Sequence, residues 1–483
     1  MAAEGIVRNL KPLEILTEEQ VERIHRGALD VLEVTGVKVE SEKARKIYEK
    51  GGCIVDHDDE RVRFPPGLVE QSIRQCPTSF HMKALDRKND LILGGTTTYF
   101  ALFPGLRIAD LDTWEVRQPT VQENHDANKI ADGLENILAS PSYTPYTDMV
   151  DVPPAMLLPV STWSRLKYFS KISRVGTTMS SHIFEIQMAQ ALGVDIYGAM
   201  EAPPPLSWNE DATDCAIACA EAGFPVEPGT GGSMGATHPA TLAGALVIGM
   251  AEVMSGVVLV QLVNPGNPVI VNCFPPPINM RSGHPAFGSI SISLFQVAWN
   301  QIWRTRYGIP IMNGGSGPSS AKKIDFQVGY EKSVGAMLSA MSGANMINHC
   351  GGLMGELSYH PALSVLDNDA VGNIKRFLEG VKVNEDTLAI DLINDTGPIP
   401  GFFLNKQHTR DWWQQEQFTP LVSDQSTYPE WLEKGKKSSL DLARERADAL
   451  LESWESKLSP GQEVEIDKIL DDCRAWYKKK DLI

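Results

Sequence analysis

Two short apolar runs in this chain end in residues able to hold or orient a substrate. Pro310-Ile-Met-Asn313 opens into Gly-Gly-Ser-Gly-Pro318, and Asn345-Met-Ile-Asn-His349 opens into Cys-Gly-Gly352. A short run rich in β-formers that gives way to polar residues and glycine reads as a buried parallel strand entering a βα loop. Asn313 and His349 therefore stand where chemistry would sit. Asn272 and Phe274 end a third such run, and Tyr99, Phe100, Phe103, Tyr143 and Tyr146 fall in or just after two earlier ones. Glu356 and Tyr359, shortly beyond His349, complete the substrate-binding candidates. Aromatic rings and neutral amides with few bases describe a box for a cation rather than a proton-transfer site. Each face-on ring supplies about 0.5–2 kcal/mol toward a quaternary ammonium. For any single ring the competing reading is core packing, and for His349 it is a buried, satisfied imidazole.

Other chemistries lack their residues. The chain has no His-Glu-x-x-His, no Walker loop and no Gly-x-Ser-x-Gly elbow. Gly229-Thr-Gly-Gly-Ser-Met234 fails the dinucleotide fingerprint at Met234. Cys215 and Cys219 lie one helical turn apart without a second soft pair, so they read as core cysteines and no metal site is expected. A lyase or hydrolase would need a metal cluster or paired carboxylates; only Glu227, Glu331 and Glu356 leave room for one.

These residues need a scaffold, and the chain from Thr96 onward alternates short apolar runs with helical stretches. The strands read as Thr97–Phe103, Ile137–Tyr143, Arg174–Ser180, Pro204–Trp208, Phe224–Glu227, Pro268–Phe274, Ile309–Asn313 and Asn345–His349, each with a helix after it. Eight units over ~280 residues predict an α/β fold, a (β/α)8 TIM barrel, whose strand ends face one catalytic mouth. A doubly wound sheet is the alternative, and no glycine fingerprint follows the first strand to support it. Thr17-Glu-Glu-Gln20 is a capping box before an amphipathic helix. Residues 1–95 read as an α-rich N-terminal cap, 96–381 as the barrel and 382–483 as a C-terminal helical extension packing on it.

Composition narrows the partners. A formal charge of −17 over 483 residues disfavours nucleic acid and anionic membrane surfaces. Seven scattered cysteines, with no secretory signal ahead of them, read as a reduced, cytoplasmic chain. The apolar run 240–263 is interrupted by Glu252 and reads as a buried helix rather than a membrane span.

At this point the chain resembles a known family. Leu16-Thr-Glu-Glu-Gln-Val-Glu-Arg-Ile-His25, Arg61-Val-Arg-Phe-Pro-Pro66, Asp325-Phe-Gln-Val-Gly-Tyr-Glu331, Gly401-Phe-Phe-Leu-Asn-Lys-Gln-His-Thr409 and Trp431-Leu-Glu-Lys-Gly435 are similar, in order and spacing, to the trimethylamine methyltransferase superfamily. The resemblance implies a barrel that moves a methyl group from an amine to the Co(I) corrinoid (cobalamin) of a separate corrinoid protein. A reductive activase and a second methyltransferase would act on that same partner. Trimethylamine enzymes of the family use pyrrolysine; this chain has only standard residues and departs there. A quaternary amine needs no such residue, because its nitrogen already leaves as a neutral tertiary amine. The resemblance is strongest to non-pyrrolysine members acting on glycine betaine, with dimethylglycine and methyl-Co(III) as products. Proline betaine, carnitine and γ-butyrobetaine remain alternative donors, and a non-enzymatic betaine-binding barrel is the alternative class. Asn313 and His349 would then bind the carboxylate or order the site. Ile347-Asn-His349-Cys-Gly-Gly352 only approaches the Asp-x-His-x-x-Gly of corrinoid-holding domains, so no permanently bound corrinoid is expected. A homo-oligomer is left open.

Overall fold

The computed structural model describes residues 5–143, 145–315 and 317–483. Ser316, in the glycine-rich loop singled out above, lies outside them. Eight parallel strands form the central sheet: β1 Thr97–Leu102, β2 Ile137–Ser140, β3 Ile172–Val175, β4 Ile196–Ala202, β5 Val226–Thr230, β6 Val271–Cys273, β7 Ile311–Asn313 and β8 Met346–Cys350. They pair in sequence order, and β8 returns to pair with β1, which closes the barrel. The helices between and after them are α1 Val121–Asp132, α2 Leu157–Tyr168, α3 His182–Leu192, α4 Glu210–Glu221, α5 Leu242–Val263, α6 Ile290–Ile302, α7 Phe326–Ser342 and α8 Pro361–Glu379. The expected (β/α)8 barrel is the fold.

Nearly every strand residue is buried on either face, which is why these runs are mostly apolar. Tyr99 and Ala101 of β1, Ala139, Ile172, Tyr197, Met312 and Met346 point into the barrel. Phe100, Leu102 and Ile347 point out toward the helices. The hairpin of Ser79–Met82 and Leu91–Gly94 drives Met82, Leu91 and Leu93 into the same inner cluster and plugs the N-terminal end. Access is thereby left to the C-terminal mouth.

One strand differs from expectation. Pro204–Trp208 is not the fourth barrel strand; Ile196–Ala202 is, and Ser207–Trp208 instead pairs with Val37–Val39 in the small sheet of the cap. The helix after the third strand stops at Leu192, where Gly193 takes a left-handed conformation at φ 65°. That stop releases the next seven-residue apolar run, and Pro203 to Pro205 then end it.

The cap is tied to the barrel at its start, because Ile6–Val7 pairs antiparallel with β1. Its first helix has the reciprocal capping box of Thr17 and Gln20. The apolar helix α5 is long enough to cross a membrane, yet 78% of its apolar window is buried inside the protein. Its Glu252 is buried and held by contacts: it accepts from the Leu206 amide at 2.7 Å and lies 3.2 Å from His238 Nε2. After α8, the helices Ser439–Glu452 and Pro460–Lys479 pack against the barrel through Ala443, Ala447 and Leu450, and through Ile466, Leu470 and Tyr477.

Candidate active site

Polar residues enter the barrel where the inward positions of β3 to β8 reach the C-terminal mouth. Two residues beyond inward Ile172 comes Arg174; Glu201 lies four beyond inward Tyr197, and the period of two puts each pair on one face. Glu227 on β5 and Asn272 on β6 continue the ring. Arg174 Nη2 lies 2.8 Å from Glu201 Oε1, and its Nε lies 2.7 Å from Glu227 Oε2. Asn272 Nδ2 donates to Glu227 Oε1 at 2.8 Å, while its Oδ1 accepts from the Gly314 amide at 3.2 Å. These bonds fix which way the Asn272 amide points.

Arg174, Glu201 and Asn272 form one wall of a cavity of about 330 Å³, and Glu227 is buried behind them. Phe103, Phe274 and Phe287 form the apolar part, with Asn348 and Glu356 on the rim that β8 and its following loop supply. Phe274 and Phe287 stack with centroids 6.0 Å apart. Gly315 makes that possible, since a Cβ there would come within 2.9 Å of the Phe274 ring.

The electrostatics are unbalanced toward negative charge. Burial pushes the Glu227 carboxyl up to about 7 against the pull of Arg174. Burial, reinforced by repulsion from Glu201, likewise raises Glu356 to about 7. Glu356 is exposed, and it lines the cavity together with Glu201. Arg174 is buried, and its two carboxylate neighbours hold it firmly protonated. One guanidinium therefore faces three carboxyl groups.

Of the candidates read from sequence, Phe103, Asn272, Phe274 and Glu356 line this cavity. Tyr143 stands beside it; burial and Glu201 raise its phenol above the ordinary range. Six others are placed elsewhere. His349 points outward from β8, with Nε2 3.7 Å from Asp367 of α8 and its ring edge-on to Phe100. The neighbouring Asn348 takes the inward place, because one residue along a strand reverses the face. Asn313 faces out too, in a reciprocal amide pair with Asn300 at 2.8 Å. Phe100 packs among the outer helices. Tyr99 does point inward, but near the plugged end, where its hydroxyl accepts from the Ile92 amide. Tyr359 is buried behind the loop, accepting from Ser364 at 2.7 Å and lying edge-on to Tyr146.

Arg174, Glu201, Asn348 and Phe287 were not foreseen as site residues. For Arg174 a signal existed, a charge inside the otherwise uncharged strand Ile172–Val175. Glu201 was hidden by the misplaced fourth strand.

The family model for trimethylamine methyltransferase (MTTB) matches residues 1–475. The chain belongs to the trimethylamine methyltransferase family. It is a methyltransferase. Glycine betaine methyltransferase of Desulfitobacterium hafniense is 30% identical over 475 residues, covering 95% of this chain and 96% of that protein. Trimethylamine methyltransferases of Desulfitobacterium hafniense and Methanosarcina thermophila are 29% and 28% identical, over 91% and 92% of this chain and 89% and 94% of theirs. The solved monomethylamine methyltransferase of Methanosarcina barkeri superposes with a TM-score of 0.46 at 11% identity, over 89% of this chain and 92% of that one.

Proposed function

We propose that this methyltransferase moves a methyl group from a quaternary amine, glycine betaine above all, to the Co(I) corrinoid of a separate corrinoid protein. The observation that carries the reading is the cavity itself: three phenylalanine rings and an excess of carboxyl groups, at the open end of a barrel whose other end is plugged. That chemistry suits a permanent cation. Its volume suits one small amine and not a corrinoid macrocycle, which supports delivery of the cobalt by a partner at the mouth. The Co(I) centre supplies the nucleophile, and the amine leaves neutral.

The chain's own residues then have three tasks. Glu201 and Glu227, sharing Arg174, leave one net negative charge to neutralise the ammonium. Phe103, Phe274 and Phe287 hold the methyl groups and shed water from them. The walls also fix one methyl toward the opening, so that attack in line needs little further ordering. No general base is required, because no proton moves. All seven cysteines are buried and unpaired, in keeping with a reducing, cytoplasmic setting.

The test is product formation. Purified chain, cognate corrinoid protein and glycine betaine should yield dimethylglycine, read by proton NMR. Formation from carnitine, proline betaine or γ-butyrobetaine alone would move the substrate and keep the reaction. Formation only from trimethylamine would overturn the reading.

A further inference from the structure

The cavity accounts for the ammonium of a betaine but not yet for its carboxylate. Arg174, the cavity's guanidinium, is occupied by Glu201 at 2.8 Å and Glu227 at 2.7 Å. Both oxygens of Glu227 are taken, one by Arg174 and one by Asn272. Glu356 is different: among the described residues it forms no hydrogen bond and no ion pair, and it lines the same cavity. An incoming carboxylate needs a donor, and an ionised Glu356 would repel it.

We propose that Glu356, holding a proton, donates a hydrogen bond to the carboxylate of the bound betaine and so selects betaines over simpler quaternary amines. The inference rests on the betaine reading given above. Charge counting supports it. With Glu356 neutral, Arg174, Glu201, Glu227 and the zwitterion sum to one negative charge; with Glu356 ionised they sum to two. The surroundings favour the neutral form. Glu201 faces Glu356 across the cavity, and Arg174 is shared with two other carboxylates. Tyr143 adds no positive charge. Arg107, whose backbone bonds that of Leu357, is already paired with Asp148 at 2.6 Å. The neutral form predominates below pH 7, the value to which Glu356 is raised.

The experiment is calorimetric titration of glycine betaine and of tetramethylammonium into the full chain at pH 6 and pH 8. Tetramethylammonium carries the same cationic head without a carboxylate, so the ratio of the two Kd values cancels what Glu201 and Glu227 do to the ammonium. That ratio should turn against betaine by about tenfold between pH 6 and pH 8, as the protonated fraction of a group titrating near 7 falls. Betaine binding at pH 8 should also take up a proton, seen as a dependence of the heat on buffer ionisation enthalpy. Glu356→Gln, whose amide donates at every pH, should abolish the change in ratio. An unchanged ratio in the wild type, or the full change retained in Glu356→Gln, overturns the proposal. Should the variant not fold, proton uptake by the wild type decides. Binding of tetramethylammonium but not betaine at either pH defeats the role of Glu356 and leaves the cation site standing. Binding of neither defeats the quaternary-amine reading itself.

Discussion

Replacing Glu227 by glutamine should flatten the dependence of stability on pH. Glu227 is fully buried, and its carboxyl is raised from 4.5 to about 7. An acid raised on folding binds more protons folded than unfolded, so its contribution is fully present below the unfolded value and is lost as pH rises through the folded one. The window is therefore about pH 4.5 to 7. A shift of that size corresponds to roughly 3 kcal/mol at pH 8 relative to pH 4. An entropy of unfolding near 2 cal/mol/K per residue gives roughly 1 kcal/mol/K for this chain length, so the difference appears as about 3 °C in Tm. Glutamine keeps the shape and can still accept from Asn272. Thermal unfolding of wild type and Glu227→Gln at pH 5, 6, 7 and 8 should show the wild type losing about 3 °C more than the variant across that range. Parallel profiles would refute the claim that burial holds the Glu227 carboxyl above its ordinary range.

Other changes test the remaining walls. Phe274→Ala removes one stacked ring and should raise KM for the quaternary amine by about 2–30-fold, the equivalent of roughly 0.5–2 kcal/mol, in steady-state kinetics. Gly352→Ala should raise KM too, because a Cβ at that position overlaps the Phe103 ring and must displace it. Asn348→Ala should change KM while Asn313→Ala leaves KM unchanged and lowers Tm, since Asn348 lines the cavity and Asn313 is paired with Asn300 outside the barrel.

The barrel was legible because strand–helix alternation is a coarse signal that survives errors of a few residues. Seven of the eight strands overlap the runs read from sequence; only the fourth moved, where Gly193 ended a helix earlier than apolar periodicity implied. Site residues obey a finer rule. At β8 the mouth position is Asn348 and not His349, and at β7 the inward residue is Met312 and not Asn313. Which of two neighbours points inward depends on register, which a short, uniformly apolar strand does not disclose. Phe103, Asn272, Phe274 and Glu356 were found because their strand ends and loop were placed well enough. Arg174 and Glu201 make chemical sense only together, across two strands, and one of those strands had been assigned elsewhere.

The most direct measurement follows the cobalt of the cognate corrinoid protein by absorbance after reduction to Co(I). Wild-type chain and glycine betaine should convert the Co(I) spectrum to that of methyl-Co(III), with Phe274→Ala slower at low betaine. Conversion with trimethylamine and none with any quaternary amine, on a corrinoid protein shown to accept methyl groups, would contradict the account.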